Sequence, residues 1–304
     1  MTPFPVPEHG LLVLDKPRGP SSHQVTAWAG EILGKRVGHA GTLDPGVSGV
    51  LVVMVGNAVR LAPILLAEEK EYVAVIRTHG DVQEDALRSV ASDFCGRIYQ
   101  RPPRRSAVAR NLRIRTVRAL EVREFHERLA VLGITCDAGT YIRSLCHHIG
   151  LALGCGAHMQ ELRRVRSGIF SEEQAHTLHD LKDAATLAGQ GDPQYLAGMI
   201  LPPEKVARGL PTLVVRDTAV DALCHGAALA GVGVVRQDAF ARGEMVAVLT
   251  GKGELVCIGE AIVSSTQVPP GSTGLVAAPR SVFMRPGTYP KGWKKREGAE
   301  KPEI

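Results

Sequence analysis

Six consecutive apolar residues, Val50-Leu51-Val52-Val53-Met54-Val55, follow directly on a glycine-rich segment that runs from Gly34 to Gly49. An apolar run without alternation reads as a buried strand, and the glycines before it read as a loop that the strand holds rigid. The chain around it mixes strands and helices. Residues 11–14, 71–78, 113–125 and 129–137 carry strand patterns, the last two as an antiparallel hairpin around His126-Glu127-Arg128. A helix capped by Ser21 or Ser22 runs to about Leu33, others cover 58–67 and 84–93, and another begins at Thr140, with Tyr141, Leu145, Ile149 and Leu153 at helical spacing and Gly154 past its end. No regular βαβ rhythm is present, which predicts an α+β domain around a mixed or antiparallel sheet.

Pro202, Pro203, Gly209 and Pro211 mark a change of texture. Beyond them a strand at 213–215, a helix at 217–225 stopped by Gly226, and a hairpin of 245–249 and 255–258 around Gly251-Lys252-Gly253 predict a compact β-rich accessory binding module. The expected division is therefore residues 1–205, residues 206–285, and a basic, disordered tail at 286–304.

The apolar runs are far shorter than the roughly 20 residues that span a bilayer. The first ten residues carry Pro3, Pro5 and Pro7 and no signal-peptide core, so a cytoplasmic protein is expected. None of the six cysteines forms a C-x-x-C pair. Cys146, His147 and His148 are adjacent on a helix and point about 100° apart, so they cannot converge on one ion, and no metal is expected.

The net charge is only +5, but its placement is uneven. Arg97, Arg101, Arg104, Arg105, Arg110, Arg113, Arg115 and Arg118 share a stretch without a single acidic residue, interrupted by Pro102 and Pro103. Such a stretch cannot neutralise itself internally and points to an anionic partner, above all nucleic acid. Arg163, Arg164 and Arg166 form a second basic cluster, and Lys291, Lys294, Lys295 and Arg296 a third. A single charge run is more often a solvated face.

Gly41-Thr42-Leu43-Asp44-Pro45-Gly46 has the outer glycines of a phosphate loop, but Val47 and Ser48 stand where the lysine and hydroxyl residue would be needed. No G-x-G-x-x-G precedes a helix either, so nucleotide hydrolysis is not expected. Asp44 alone would be a turn residue of an Asp-Pro-Gly sequence. His39, Thr42 and Asp44 nevertheless crowd one rigidly supported loop, and Arg143 offers a buried cation that would keep a carboxylate charged and fixed in direction, as a nucleophile requires.

Gly38-His39-Ala40-Gly41-Thr42-Leu43-Asp44-Pro45 closely resembles the catalytic motif of the TruB-type pseudouridine synthases. Four more segments match in order: Leu14-Asp15-Lys16-Pro17-Arg18-Gly19-Pro20-Ser21-Ser22, Lys70-Glu71-Tyr72-Val73-Ala74, Gly139-Thr140-Tyr141-Ile142-Arg143 and Met159-Gln160-Glu161-Leu162-Arg163-Arg164. Thr78-His79-Gly80-Asp81-Val82 and Gln100-Arg101-Pro102-Pro103 resemble the archaeal, dyskerin-like branch, and residues 213–284 resemble its PUA domain. The departures, Ala40 for Ser or Thr and Ser48 for Thr, remove no reactive group.

The resemblance implies an RNA isomerase that converts uridine to pseudouridine without a cofactor. It implies Asp44 as the essential carboxylate, Arg143 as its partner, Tyr72 stacked on the target base, Leu162 as a pocket wall and His39 holding the flipped nucleotide. Without the motifs, Tyr72 and Leu162 would be core residues and His39 a loop histidine. Lys16 reads as an exposed turn residue or as a fold-stabilising partner of the active loop. Arg101, Arg104, Arg105 and Arg110 would belong to a mobile basic loop that grips RNA. The implied partners are tRNA or rRNA, an H/ACA guide RNA and small ribonucleoprotein subunits, with no membrane. A catalytically silent RNA-binding scaffold is the alternative.

Overall fold

The computed structural model describes residues 7–102 and 111–291, in two compact units that divide between Leu201 and Pro202. In the first unit the elements are β1 (Gly10–Lys16), α1 (Ser22–Leu33), β2 (Val37–Ala40), β3 (Ser48–Val55), α2 (Ala62–Ala67), β4 (Lys70–Thr78), α3 (Glu84–Asp93), β5 (Gly96–Gln100), β6 (Arg113–His126), β7 (Leu129–Cys136), α4 (Ile142–Ala152), β8 (Ala157–Ser167), β9 (Phe170–Ser171), α5 (Leu178–Gly189) and α6 (Gln194–Met199). The nine strands form one sheet in the order β1-β3-β8-β4-β7-β6-β5, with β2 added to β3 and β9 to β8. β3 and β8 are parallel and the other pairs antiparallel, so the sheet is mixed.

The apolar run of β3 is buried on both faces. Leu51, Val53 and Val55 pack with Leu12 and Leu14 of β1 under Val25 and Ala29 of α1 and Leu181 and Ala184 of α5. A second core joins Ala74 and Ile76 of β4 and Leu132 and Ile134 of β7 to Leu87 of α3 and Leu145, Cys146 and Ile149 of α4. Burial drives both layers onto the sheet. Gly49 is required where β3 meets β8: its φ is +103°, and a Cβ there would stand 2.2 Å from the Arg164 carbonyl oxygen.

Three features depart from the sequence patterns. The glycine-rich segment contains β2, which pairs with residues 52–55. Residues 58–67 are a 3-10 turn followed by α2, because Pro63 cannot donate to a continuous helix. β8 carries too many charges to alternate, yet β3 and β4 on either side hold it as a strand.

The second unit contains α7 (Glu204–Ala207), β10 (Thr212–Val215), α8 (Asp217–Cys224), β11 (Leu229–Ala230), β12 (Val234–Gln237), β13 (Met245–Thr250), β14 (Leu255–Ala261) and β15 (Leu275–Val282). Its six strands run β11-β15-β14-β13-β10-β12 around a core that includes Leu213, Val215, Val246, Val256 and Phe240. The α+β expectation, with a mixed-sheet unit and a smaller β-rich one, holds. The boundary lies at Leu201/Pro202 rather than after residue 205. α7 goes with the second unit, where the Glu204 carboxylate accepts from the Leu255 amide at 3.2 Å. The expected disordered tail does not begin at 286: Tyr289 is buried in the core and donates its hydroxyl to Glu254 Oε2 at 2.5 Å. Residues 292–304, with Lys294, Lys295 and Arg296, lie outside the described residues.

Candidate active site

Asp44 lies in the loop between β2 and β3, where the Val47 amide closes the expected Asp-Pro-Gly turn on the Asp44 carbonyl at 3.0 Å. Contacts from the end of β1, the start of α1 and the turn joining them fix this loop from behind. The buried Ser22 hydroxyl accepts from the Leu43 amide at 2.8 Å and donates to the Leu43 carbonyl at 3.0 Å. The Gly19 amide donates to the Pro45 carbonyl at 2.8 Å. Lys16 is fully buried, and its ammonium lies 2.8 Å from the Pro17 carbonyl and 3.5 Å from that of Pro45. Burial pushes the Lys16 pKa down and the nearby Asp44 charge raises it. Lys16 is therefore buried behind the loop and is not an exposed turn residue.

Arg143 comes from the other side of the site, in the first turn of α4. The Tyr141 side chain makes no cap to this helix. Buried Gln100 instead fixes the backbone of Tyr141 just before the helix: its amide oxygen accepts from the Tyr141 amide at 2.9 Å and its nitrogen donates to the Tyr141 carbonyl at 3.1 Å. Held there, Arg143 donates from Nη2 to Asp44 Oδ2 at 2.5 Å. The sequence reading of Arg143 as a buried cation is corrected, since 53% of its side chain is exposed. It opens with Asp44 onto solvent because the buried face of α4 is carried by Ile142, Leu145, Cys146 and Ile149.

Among the arginines around the site, Arg164 is the one that is buried. Its Nε donates to the Val50 carbonyl at 2.8 Å and its Nη2 to the Gly41 carbonyl at 3.0 Å. Tyr72 is directly across from it in the β4–β8 ladder. Burial pushes the Tyr72 phenol up, and the Arg164 guanidinium opposes that rise. Leu162 pairs with Ala74, and it and Tyr72 are partly buried against the core of α3, α4 and β7. His39, on β2, stacks edge-on against His23 with ring centroids 4.9 Å apart, and its buried Nδ1 has no hydrogen-bond partner. Burial first, then His23 and Arg164, push its pKa down.

The basic clusters behave differently from one another. Arg101 is exposed, while Arg104, Arg105 and Arg110 lie outside the described residues. Arg118 is on β6 and pairs with Glu69 and Asp137 from distant parts of the chain. Arg163 is tied to Asp15 and Glu172, and Arg166 to Glu69 and Glu71. Arg163 and Arg166 are thus neutralised within the protein and Arg164 is buried, so the 163–166 cluster is no basic patch. Sequence reasoning missed Ser22 and Gln100 as clamps; both lie inside the quoted motifs, which was the available signal. Among the described residues no group of three or more His, Cys, Asp and Glu side chains could hold a metal ion.

Residues 31–142 match the model of the TruB family pseudouridylate synthase N-terminal domain, residues 143–207 the tRNA pseudouridylate synthase B C-terminal domain, and residues 211–283 the PUA domain. The chain is 48% identical over 293 residues to a probable tRNA pseudouridine synthase B of Methanosarcina barkeri, covering 95% of this chain and 87% of the relative. Its identity to the protein of the same description from Pyrobaculum arsenaticum is 50% over 296 residues, covering 96% and 89%. The chain belongs to the TruB family of pseudouridine synthases. It is an isomerase acting on RNA. Among solved structures, this TruB-family chain is similar to a chain of a Cbf5–Nop10–Gar1 complex (48% identity, TM-score 0.88, covering 93% and 87% of the two chains). A chain of an H/ACA ribonucleoprotein bound to a substrate RNA containing 2′-deoxyuridine is similar as well, with 45% identity, TM-score 0.87 and coverage of 93% and 88%. These neighbours agree with the dyskerin-like branch that the motifs imply. Among the described residues no helix is long and apolar enough to cross a membrane.

Proposed function

We propose that Asp44, Arg143 and Tyr72 carry the isomerisation of uridine to pseudouridine, with Asp44 as the carboxylate that acts on the ribose or base. The observation that supports this most directly is the Arg143–Asp44 bridge at an exposed position, where an ion pair adds little to stability and its direction serves something else. Tyr72 stacks on the uracil and Leu162 walls its pocket. The uridine must leave its stack to reach Asp44, at a cost of a few kcal/mol that backbone contacts offset. His39 helps hold the flipped nucleotide, and Arg101, with Arg104, Arg105 and Arg110, contacts phosphates, giving affinity without sequence selectivity.

The first unit, up to Leu201, serves as the catalytic domain and the second, from Pro202 onward, as the PUA-type RNA-binding domain. The substrates are the T-loop uridine of tRNA, rRNA uridines selected by an H/ACA guide RNA, or both. The partners are the guide RNA and small ribonucleoprotein subunits of the kind named with the similar Cbf5 chains. The site of action is the cytoplasm.

The decisive experiment measures pseudouridine in unmodified tRNA transcript and in a guide-matched RNA, with the full chain alone and with guide RNA and partner proteins. Activity on tRNA alone makes the chain a stand-alone tRNA enzyme at least in part. Activity only with guide and partners delegates targeting to base pairing. Silence under both conditions, with RNA binding intact, returns the chain to the scaffold reading.

A further inference from the structure

We propose that Arg164 is a positioning residue that sets the Asp44 loop against Tyr72 for catalysis. The inference rests on the reading of Asp44 and Tyr72 as catalytic. The edge of β3 that faces β8 is divided: residues 48 and 49 pair with β8, and residues 52–55 pair with β2. Val50 falls in the gap between the two strands, and the Arg164 guanidinium fills that gap, bonding the Val50 carbonyl and reaching on to Gly41, the residue that follows β2 and begins the Asp44 loop. A hydrogen-bonding strand would satisfy such carbonyls in an ordinary sheet; here a side chain does so, and it belongs to the strand that faces Tyr72.

The geometry of β8 makes this orientation possible. The ladder of β4 with β8 slips between Glu71 and Tyr72, so that Arg164 is opposite Tyr72 and Arg166 opposite Glu71, leaving Val165 without a partner. In a regular strand residues two apart share a face. The bulge sends the two arginines to opposite faces: Arg166 bonds Glu71 on one, and Arg164 pairs with Tyr72 and interacts with its phenol group on the other. One planar guanidinium thereby touches β3, the Asp44 loop and the Tyr72 strand, and its fork reaches two carbonyls at once, which a lysine ammonium on a single stem does not do with fixed geometry. Leu162, two residues earlier on β8, adds the pocket wall from the same strand.

The test compares Arg164→Lys, Arg164→Gln and Gly41→Ala with the parent chain, under whichever of the conditions above the parent turns over. Gly41→Ala leaves Arg164 intact and disturbs its acceptor, since φ at Gly41 is +90° and an added Cβ would stand 3.3 Å from Arg164 Nη1. The measurements are kcat and KM for pseudouridine formation, Kd for RNA, and the thermal midpoint. Misplacement on the ångström scale is expected to lower kcat by about 10²-fold. KM and Kd should stay within about threefold, Arg164→Lys should retain more activity than Arg164→Gln, and Gly41→Ala should reproduce the kcat loss in a folded protein. A folded Arg164→Gln or Gly41→Ala that keeps kcat within twofold overturns the inference. A loss of kcat, KM and Kd together with the thermal midpoint does so too, because it assigns Arg164 to the fold alone. An Asp44→Asn control separates the two readings: inactive Asp44→Asn with active Arg164 variants rejects only the positioning role, whereas active Asp44→Asn rejects the site itself.

Discussion

Asp44 and Arg143 stand 99 positions apart in the chain and meet at 2.5 Å, with more than half of each side chain exposed. Exposed pairs contribute roughly 0–1 kcal/mol to stability, so removing this one should leave the fold in place. Asp44→Asn is expected to lower kcat by at least about 10³-fold, with RNA Kd within a few fold and an unchanged unfolding midpoint. Arg143→Lys, which keeps the charge and loses the planar fork, should cost about 10–10²-fold in kcat. Single-turnover kinetics beside filter binding check both. Full activity in Asp44→Asn would refute the assigned chemistry.

Ser22 is the strongest of the contacts behind the loop, because one hydroxyl serves both the amide and the carbonyl of Leu43. Ser22→Ala strands a buried donor and acceptor, which costs about 1–3 kcal/mol. The loss should appear as a lower urea midpoint and, since the affected residue precedes Asp44, as a kcat decrease at nearly constant KM. Ser22→Ala with parental stability and kcat would show that water takes over the hydroxyl's role.

The pattern of the chain made most of the sheet legible. The unbroken apolar run of β3, the hairpin of β6 and β7 and the helical spacing of α4 each follow from a local period that burial then rewards. Asp44 and Arg143 were legible through motifs, but their meeting is a tertiary fact that no local spacing carries. β8 was hidden because its bulge breaks the strand period within Arg163-Arg164-Val165-Arg166, and the same break disguised a buried clamp as part of a basic patch. The carboxylates that neutralise Arg118 and Arg166 lie at Glu69, Glu71 and Asp137, far from those arginines in sequence.

Gly49 tests how closely β3 and β8 must approach. An alanine there meets both a φ of +103° and a backbone oxygen at 2.2 Å, so the strands must separate. The left-handed backbone alone costs about 1–2 kcal/mol for a non-glycine residue. Gly49→Ala should therefore destabilise the protein by roughly 3 kcal/mol or more, read by urea unfolding. A loss below about 1 kcal/mol would mean that the contact relaxes freely.

Lys70 is buried beneath the site, with its ammonium donating to the Glu68 and Leu65 carbonyls at 2.6 and 3.0 Å. Burial, reinforced by the Arg164 charge, lowers its pKa from 10.5 to about 8, against a smaller opposing effect of Glu68. Between about pH 8 and 10.5 the unfolded chain therefore holds a proton that the folded chain has released. Stability rises with pH wherever the unfolded state binds more protons, so Lys70 penalises folding fully below pH 8 and progressively less above it. The relief amounts to roughly 3 kcal/mol across the window. Lys70→Met carries no such proton, and its unfolding free energy should lack this rise. The check is urea unfolding of parent and variant at intervals from pH 7 to about pH 10.5, taking the difference so that other titrating groups cancel. Parallel curves would show that Lys70 titrates alike in the folded and unfolded chains.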